Sequence, residues 1–481
     1  SGELSKELKK TLSKEDEDDF DYQDYLKQNM ESRGRQKNIS FFGFSGTPKK
    51  KTLEVFGARK EEIDGEVKFT PFHLYSMKQS IHEKFTLDVL QNYTTYKRYF
   101  KIKEIDEQVE IPVSQGKKKI IKYVEESKET ITAKVNVILD HFIEIGSREI
   151  LGRSRGMIVV NSRKDCVSYF KEINKQLEDR KINFRALTAF SGEVILKGDE
   201  TKYTETSLNQ EEGHQGDIPQ GLKNPKYRLI IVANKFQTGF DEPLLQSMYI
   251  NKHLGGVQCV QTLSRLNRVE KGKTKTFILD FVNDIESIKD SFQDYYESTI
   301  LEGETDQNAL YDIINVLDEM YLFNKEDVKN FTKVFFDKKR NEQDLHPILD
   351  GIVNKWTERE KEEREGFRQQ LKFYVRLYGY LSQILKFQDI SLEEYYIFFK
   401  YLITKIPKPE IEKINIDDLI DLDSLRVQKI HETSIKLEDK EGGVLIPPSP
   451  INKPIQDPVK ESLSDIIKSL NEIYGGEITD D

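Results

Sequence analysis

The chain of 481 residues has only two cysteines, Cys166 and Cys259, too few and too far apart for a disulfide framework or a thiolate metal cluster. Each reads as a small buried apolar residue without chemistry. No apolar run reaches membrane-spanning length, which excludes a transmembrane helix, and the stretch SGELSKELKKTLSKEDEDDF lacks the apolar core of a secretory signal. A reducing cytoplasm fits these absences. Positive charge is also short: 74 basic against 84 acidic residues leave a net charge of −10. Any contact with nucleic acid must therefore run through a local patch, and a histone-like mode is excluded.

What is present points to an α/β chain with a helical part. At this length two or three domains are expected. FFGFSGTP, Phe41 to Pro48, reads as a strand closed by a turn that Pro48 cannot continue. Lys101 to Thr130 is charged and reads as a surface excursion. ITAKVNVILDHFIEIG places Ile131, Val135, Ile138 and Phe142 at helical spacing before Gly146. From Gly156 the pattern becomes MIVV as a strand, SRKDCVSYFKEINKQL as a helix with Cys166, Phe170, Ile173 and Leu177 inward, then FRALTAF, RLIIVAN and TFILDF as strands. Apolar strands alternating with helices predict a parallel sheet covered on both faces, with ligands at the carboxyl ends of its strands.

Beyond Asp284 the period is helical, and an all-α domain is expected. Phe367, Leu371, Tyr374, Tyr378, Leu381 and Leu385 form one stripe, and Ser391 with Glu394 reads as a capping box. Such stripes serve as core or as a docking face. GGVLIPPSPINKPIQDP reads as a linker and VKESLSDIIKSLNEIYGG as a short amphipathic helix ending at Gly475. The division expected is 1–48 as the end of one domain, 49–285 as the α/β domain, 286–405 as the helical domain and 406–481 as a C-terminal region.

The stretch QTLSRLNRVEKGKTKTFILDF, Gln261 to Phe281, spaces an amide and two arginines at i, i+4 and i+7, which on a helix stacks Gln261, Arg265 and Arg268 along one face. An anion should lie there. Alone the pattern is weak, since many solvated helices carry two arginines a turn apart. It gains weight from its ordered company: FSGTP, MIVVNSRKD, FRALTAFSGE and LIIVANKFQTGFDEP precede it.

Together these segments resemble the R subunit of type I restriction-modification enzymes, a superfamily-two DNA translocase. The resemblance is carried by NKFQTGFDEPLLQSMYINKHL and VQTLSRLNRVEKGKTKTFILDFVND, with similar stretches in FHLYSMKQSIHEKFTLDVL, INIDDLIDLDSLRVQKI and SLSDIIKSLNEIYG. It implies a RecA-like second motor domain, with FSGTP as motif III, MIVVNSRKD as the motif IV region, QTGFDEP as motif V and QTLSRLNR as motif VI. Ser45, Thr47, Ser162, Ser191 and Thr238 are then candidate donors to DNA phosphates. Gly239 lets backbone approach a nucleotide, and Asp241 holds a ribose hydroxyl or one of the arginines. Gln261 completes the nucleotide side. Arg265 and Arg268 suit a triphosphate, with Arg268 as the arginine finger.

A Walker A box is missing. Gly272-Lys273-Thr274 imitates its end, but the required earlier glycine is Asn267 and the tripeptide precedes a strand. It reads as a turn. Glu66-Val67-Lys68 has the form of a nuclease E-x-K without a partner aspartate and reads as coincidence. The resemblance therefore implies a fragment of an ATP-dependent type I deoxyribonuclease and translocase, inactive alone, with ATP and Mg²⁺ held mainly by the other motor half. Implied partners are double-stranded DNA and the methyltransferase (M) and specificity (S) subunits, the helical part docking on the methyltransferase. Another superfamily-two translocase, or a non-catalytic adaptor, is the alternative.

Overall fold

The computed structural model describes residues 42–61, 67–103, 110–196, 198–236, 239–297, 299–302, 306, 308–336, 345–384, 389–407, 422–438, 443–445 and 460–475. They fall into two compact units interleaved along the chain, one of 1–72, 300–413 and 444–456, the other of 73–299, 414–443 and 457–481.

The principal elements of the second unit are α1 (Met77–His82), β1 (Tyr93–Ile102), β2 (Glu110–Pro112), α2 (Val113–Glu126), α3 (Lys128–Glu144), β3 (Arg155–Val160), α4 (Arg163–Asp179), β4 (Arg185–Ala189), β5 (Tyr227–Val232), β6 (Leu245–Asn251), α5 (Gly256–Leu263), β7 (Phe277–Asp280), α6 (Ile285–Tyr296), β8 (Leu422–Thr433), β9 (Lys460–Ser462) and α7 (Leu463–Tyr474). Seven strands form one sheet in the order β8-β1-β7-β6-β3-β5-β4. All neighbours are parallel except the edge strand β8, which lies antiparallel on β1.

Both faces of this sheet are covered, as strands with few polar residues require. Met157 and Val159 of β3 pack with Cys259, Val260 and Leu263 of α5 and with Ile288 and Phe292 of α6. Ile158 and Val160 turn the other way, onto Val135, Ile138 and Phe142 of α3 and Phe170 and Ile173 of α4. Each fully buried aliphatic or phenyl group contributes about 1.5–3 kcal/mol. Helix α4 starts at a capping box in which Ser162 Oγ accepts from Asp165 N at 3.1 Å and Asp165 Oδ2 accepts from Ser162 N at 2.9 Å.

The central strand β6 escaped the sequence pattern. Its register against β3 and β7 buries all seven residues, but Gln246, Ser247 and Asn251 break the apolar run. Lys101–Thr130 is not a surface excursion either. After β2 comes α2, whose Ile120 and Val124 are buried against Phe100, Ile466, Ile467 and Leu470. The lysines that make this segment look solvated occupy the helix's outer face, the ordinary pattern of an amphipathic helix.

The first unit holds helices Lys50–Phe56, Ala309–Asp318, Lys325–Phe336, His346–Thr357, Lys361–Ile384 and Ser391–Lys405. It is not all helix: Ala58–Glu61, Val67–Thr70, Thr299–Glu302 and Gly443–Leu445 form a four-stranded sheet in that order. Phe367, Leu371, Tyr374, Tyr378 and Leu381 are all fully buried, and Leu385 lies outside the described residues. Their stripe is core: Tyr374 meets Phe399 edge to face, ring centres 5.0 Å apart. Tyr380, on the same helix, donates to Glu54 of Lys50–Phe56.

Two local expectations fail here. Ser391 is not an N-cap: its amide and its hydroxyl both donate to Asp389 Oδ1, at 2.9 and 2.6 Å, and Glu394 is buried. Phe42 to Lys49 forms no strand, and Phe42 and Phe44 are exposed, because no neighbouring strand covers them among the described residues. Phe41 and Glu66 lie outside the described residues, as does most of the expected linker after Leu445. Helix α7 ends at Gly475, where the sequence places its stop.

Candidate functional site

Helix α5 is fixed at its start by the sheet below it. Asp280, fully buried at the end of β7, accepts from Tyr93 Oη at 2.5 Å and from Asn283 N at 2.8 Å. Asn283 Oδ1 in turn accepts from Leu254 N at 2.9 Å, and Ser291 Oγ of α6 accepts from Gly256 N at 2.9 Å. Burial raises the Asp280 carboxyl above its usual range, and these donors oppose that shift.

The expected single helical face through Arg268 does not persist. Helix α5 ends at Leu263, a 3₁₀ turn covers Ser264–Asn267, and Arg268 stands in extended backbone with φ −63° and ψ 131°. Leu263 and Leu266 explain the change: both are fully buried at i and i+3, a spacing that the tighter 3₁₀ turn aligns. Gln261 and Arg265 still meet, but through backbone: Arg265 Nε donates to the Gln261 carbonyl at 3.1 Å.

Both arginines are then tied to the loop before β6. Arg265 Nη1 donates to the Phe240 carbonyl at 2.9 Å, and Arg268 Nε donates to Asp241 Oδ1 at 2.8 Å. Arg268 Nη1 also reaches Asn267 Oδ1 at 3.4 Å. Burial lowers the Arg265 guanidinium somewhat, with Arg268 adding to the effect. The Arg268–Asp241 pair is open to solvent, with side chains 43% and 71% exposed. An exposed pair stabilises a fold by about 0–1 kcal/mol, so this one adds little to the stability of the loop. Gly239, exposed and at φ +70°, gives this loop a left-handed bend and an open backbone.

Lys273, set aside in the sequence as part of a turn, belongs to this site. Gly272 does turn the chain, at φ +85°, but the Lys273 side chain goes inward, 4% exposed, onto main-chain carbonyls of both loops. A glycine-lysine pair in a polar stretch carries no local sign of burial.

The candidate phosphate donors lie elsewhere. Ser162 and Ser191 follow the carboxyl ends of β3 and β4, whereas Asp241 and Arg268 stand upstream of the amino ends of β6 and β7. Ser162 Oγ is engaged as the α4 cap, and Ser191 is exposed. Arg163, not singled out in the sequence, bridges the two loops: its Nη1 donates to the Ser191 carbonyl at 3.0 Å, and its side chain is exposed. Ser45 and Thr47 belong to the other unit, where Ser45 Oγ accepts from Thr47 N at 3.1 Å. Thr238 lies outside the described residues.

Both thiols are free and buried, and burial pushes each up to about 12. Among the described residues, no helix is long and apolar enough to cross a membrane.

Residues 193–283 match the family model described as type I restriction enzyme subunit R domain 3. That interval holds Gly239, Asp241, Gln261, Arg265, Arg268 and Lys273. The chain is 26% identical over 271 residues to the type I restriction enzyme SauCOLORF180P endonuclease subunit of Staphylococcus aureus strain COL, a match covering 49% of this chain and 27% of the relative. It is 24% identical over 281 residues to the HindI endonuclease subunit of Haemophilus influenzae, covering 54% of this chain and 25% of that protein. The matches thus span about a quarter of these relatives' length. Among solved structures, a type ISP restriction-modification enzyme, LlaBIII bound to DNA, aligns with 73% of this chain and 26% of its own, at 10% identity and a TM-score of 0.28.

Proposed function

The chain being a relative of the endonuclease (R) subunits of type I restriction enzymes, we propose that it supplies one side of the nucleotide site of an ATP-driven translocase on double-stranded DNA. The observation that carries this reading is the pair of guanidiniums, Arg265 and Arg268, held by the Phe240 carbonyl and the Asp241 carboxylate. Two fixed, always-charged forks suit the anionic oxygens of a triphosphate and the charge that develops as its terminal phosphoryl group leaves. Arg268, with the more open guanidinium, is the arginine finger. Arg265 orients the same phosphates, Gly239 admits the nucleotide to the loop backbone, and Gln261 lies on the same helix end. Asp241 holds Arg268 until the nucleotide arrives.

These residues fit a nucleoside triphosphate. In this reading the Mg²⁺ ligands and the phosphate-cradling loop come from another motor half.

On the carboxyl ends of the strands, Arg163 with Ser162 and Ser191 makes a small donor set for DNA backbone, one that reads no bases. The helical unit is the candidate for docking on the methyltransferase, and the specificity subunit would choose the DNA sequence. Because the aromatic stripe is internal, docking must use other surface, such as Tyr321, which is 80% exposed. The test is ATP hydrolysis by the complete R subunit assembled with its methyltransferase: strong stimulation by duplex DNA supports the reading, and hydrolysis indifferent to DNA contradicts it.

A further inference from the structure

The Lys273 Nζ lies 3.1 Å from the Pro243 carbonyl, 2.8 Å from that of Leu266 and 2.9 Å from that of Arg268. The three donors of an ammonium are thereby matched by three acceptors. Pro243 is in the loop that carries Asp241, while Leu266 and Arg268 bracket the end of the arginine turn. We propose that Lys273 is the positioning residue of the arginine site, its ammonium tying the backbone of the Asp241 loop to the backbone that carries Arg265 and Arg268. The proposal deepens the reading of Arg268 given above and rests on it for its effect on turnover.

Magnitudes favour this lysine over the visible ion pair as a link between the loops, alongside the Arg265 bond to the Phe240 carbonyl. The Arg268–Asp241 pair is open to water, where such pairs contribute little. The Lys273 ammonium is buried, where charge-assisted bonds to carbonyls are strong and a missing donor is costly. Its Leu266 and Arg268 acceptors lie at the end of the 3₁₀ turn that extends α5, the negative end of that helical segment. Local backbone aims it there: Lys273 N donates to the Glu270 carbonyl at 2.9 Å across the Gly272 turn. The turn's other side is held by Leu87 N, which donates to the Asn267 carbonyl at 2.8 Å, and by Arg153 Nη2, which donates to the Lys271 carbonyl at 3.3 Å. Neither of these reaches the Asp241 loop. Burial pulls the Lys273 ammonium down to about 7, with Glu242 opposing that shift and Arg268 adding to it, as expected of a lysine enclosed by protein.

The test is amide hydrogen exchange on the present chain with Lys273→Met, which keeps much of the side-chain volume and removes the donors. Exchange should rise about tenfold or more in Phe240–Leu244 and in Ser264–Val269 together, while β3 and β5 keep their protection. Unchanged exchange in both segments, or a rise spread evenly over the sheet, overturns the proposal. Should Lys273→Met fail to fold, Lys273→Gln, with a shorter amide donor, carries the same test. In the complete R subunit, Lys273→Met should lower kcat for DNA-dependent ATP hydrolysis with little change in KM, and should add nothing once Arg268→Ala is present. Equal losses with and without Arg268 would show that Lys273 does not act through it. If Arg268→Ala alone leaves hydrolysis intact, the arginine reading fails, and the exchange measurement still decides the role of Lys273.

Discussion

Arg268 Nε donates to Asp241 Oδ1 at 2.8 Å, joining the segment after α5 to the loop before β6. The two residues are 27 positions apart, and both carry substantial solvent exposure. A surface pair of this kind is a weak brace and an accessible one, so a polyanion can displace the carboxylate at little cost. Asp241→Ala should therefore shift thermal stability hardly at all, by about 1 kcal/mol or less. In the complete R subunit it should still change ATP turnover, because Arg268 loses the partner that orients it. Unaltered kinetics in that variant would count against the role given to Asp241.

The serine loops make a separate prediction. Arg163 joins them at the carboxyl ends of β3 and β4. Binding of duplex DNA should fall steeply with salt and ignore base sequence, and Arg163→Ala should reduce the salt slope by about one. Titrations with duplexes of equal length and different sequence measure both. A strong preference for one duplex contradicts a contact set made only to backbone.

His141 gives the fold a pH dependence of its own. It is packed against Phe277 and Tyr249, with Nδ1 2.9 Å from the Tyr249 hydroxyl, and burial lowers it from 6.5 to about 4. The folded chain thus binds its proton less readily than the unfolded one. This stability is present above about pH 6.5 and is lost as pH falls towards about 4, up to roughly 3 kcal/mol in all. Denaturant titrations from pH 7 to 4 should show the decline, and His141→Phe should flatten it. An acid limb unchanged by that substitution would assign the effect to other groups.

Cys166 and Cys259 are buried, and both are pushed up to about 12. Neither should react with iodoacetamide at pH 8 in the folded chain, and both should react in guanidinium. Rapid labelling of the native protein would contradict their placement in the two sheet faces.

The sequence announces the parts of this fold that repeat a period, and hides those where polar residues interrupt it. The strands over MIVV, FRALTAF, RLIIVAN and TFILDF, and the helix with Cys166, Phe170, Ile173 and Leu177, follow from uninterrupted apolar spacing. β6 does not, because its Gln246 and Ser247 are buried by neighbours that only the sheet supplies. β8 is distant in sequence from its partner β1, so its pairing has no local trace. Within the site, the arginine spacing is legible, but the end of α5 is not: whether a helix runs on or tightens depends on where Leu263 and Leu266 find their core. The inward turn of Lys273 depends in the same way on carbonyls from two separated loops.

The measurement closest to the central claim is steady-state ATP hydrolysis by the complete R subunit on duplex DNA, with its methyltransferase present, for wild type and Arg268→Ala. If Arg268 is the arginine finger, Arg268→Ala should cost on the order of 10³-fold or more in turnover while ATP binding changes far less. Arg268→Lys should rescue poorly, since an ammonium cannot reproduce the planar fork. A solvated arginine on a surface turn predicts instead a stability shift of no more than about 0.5 kcal/mol and full activity. Comparable rates for wild type and Arg268→Ala would contradict the account.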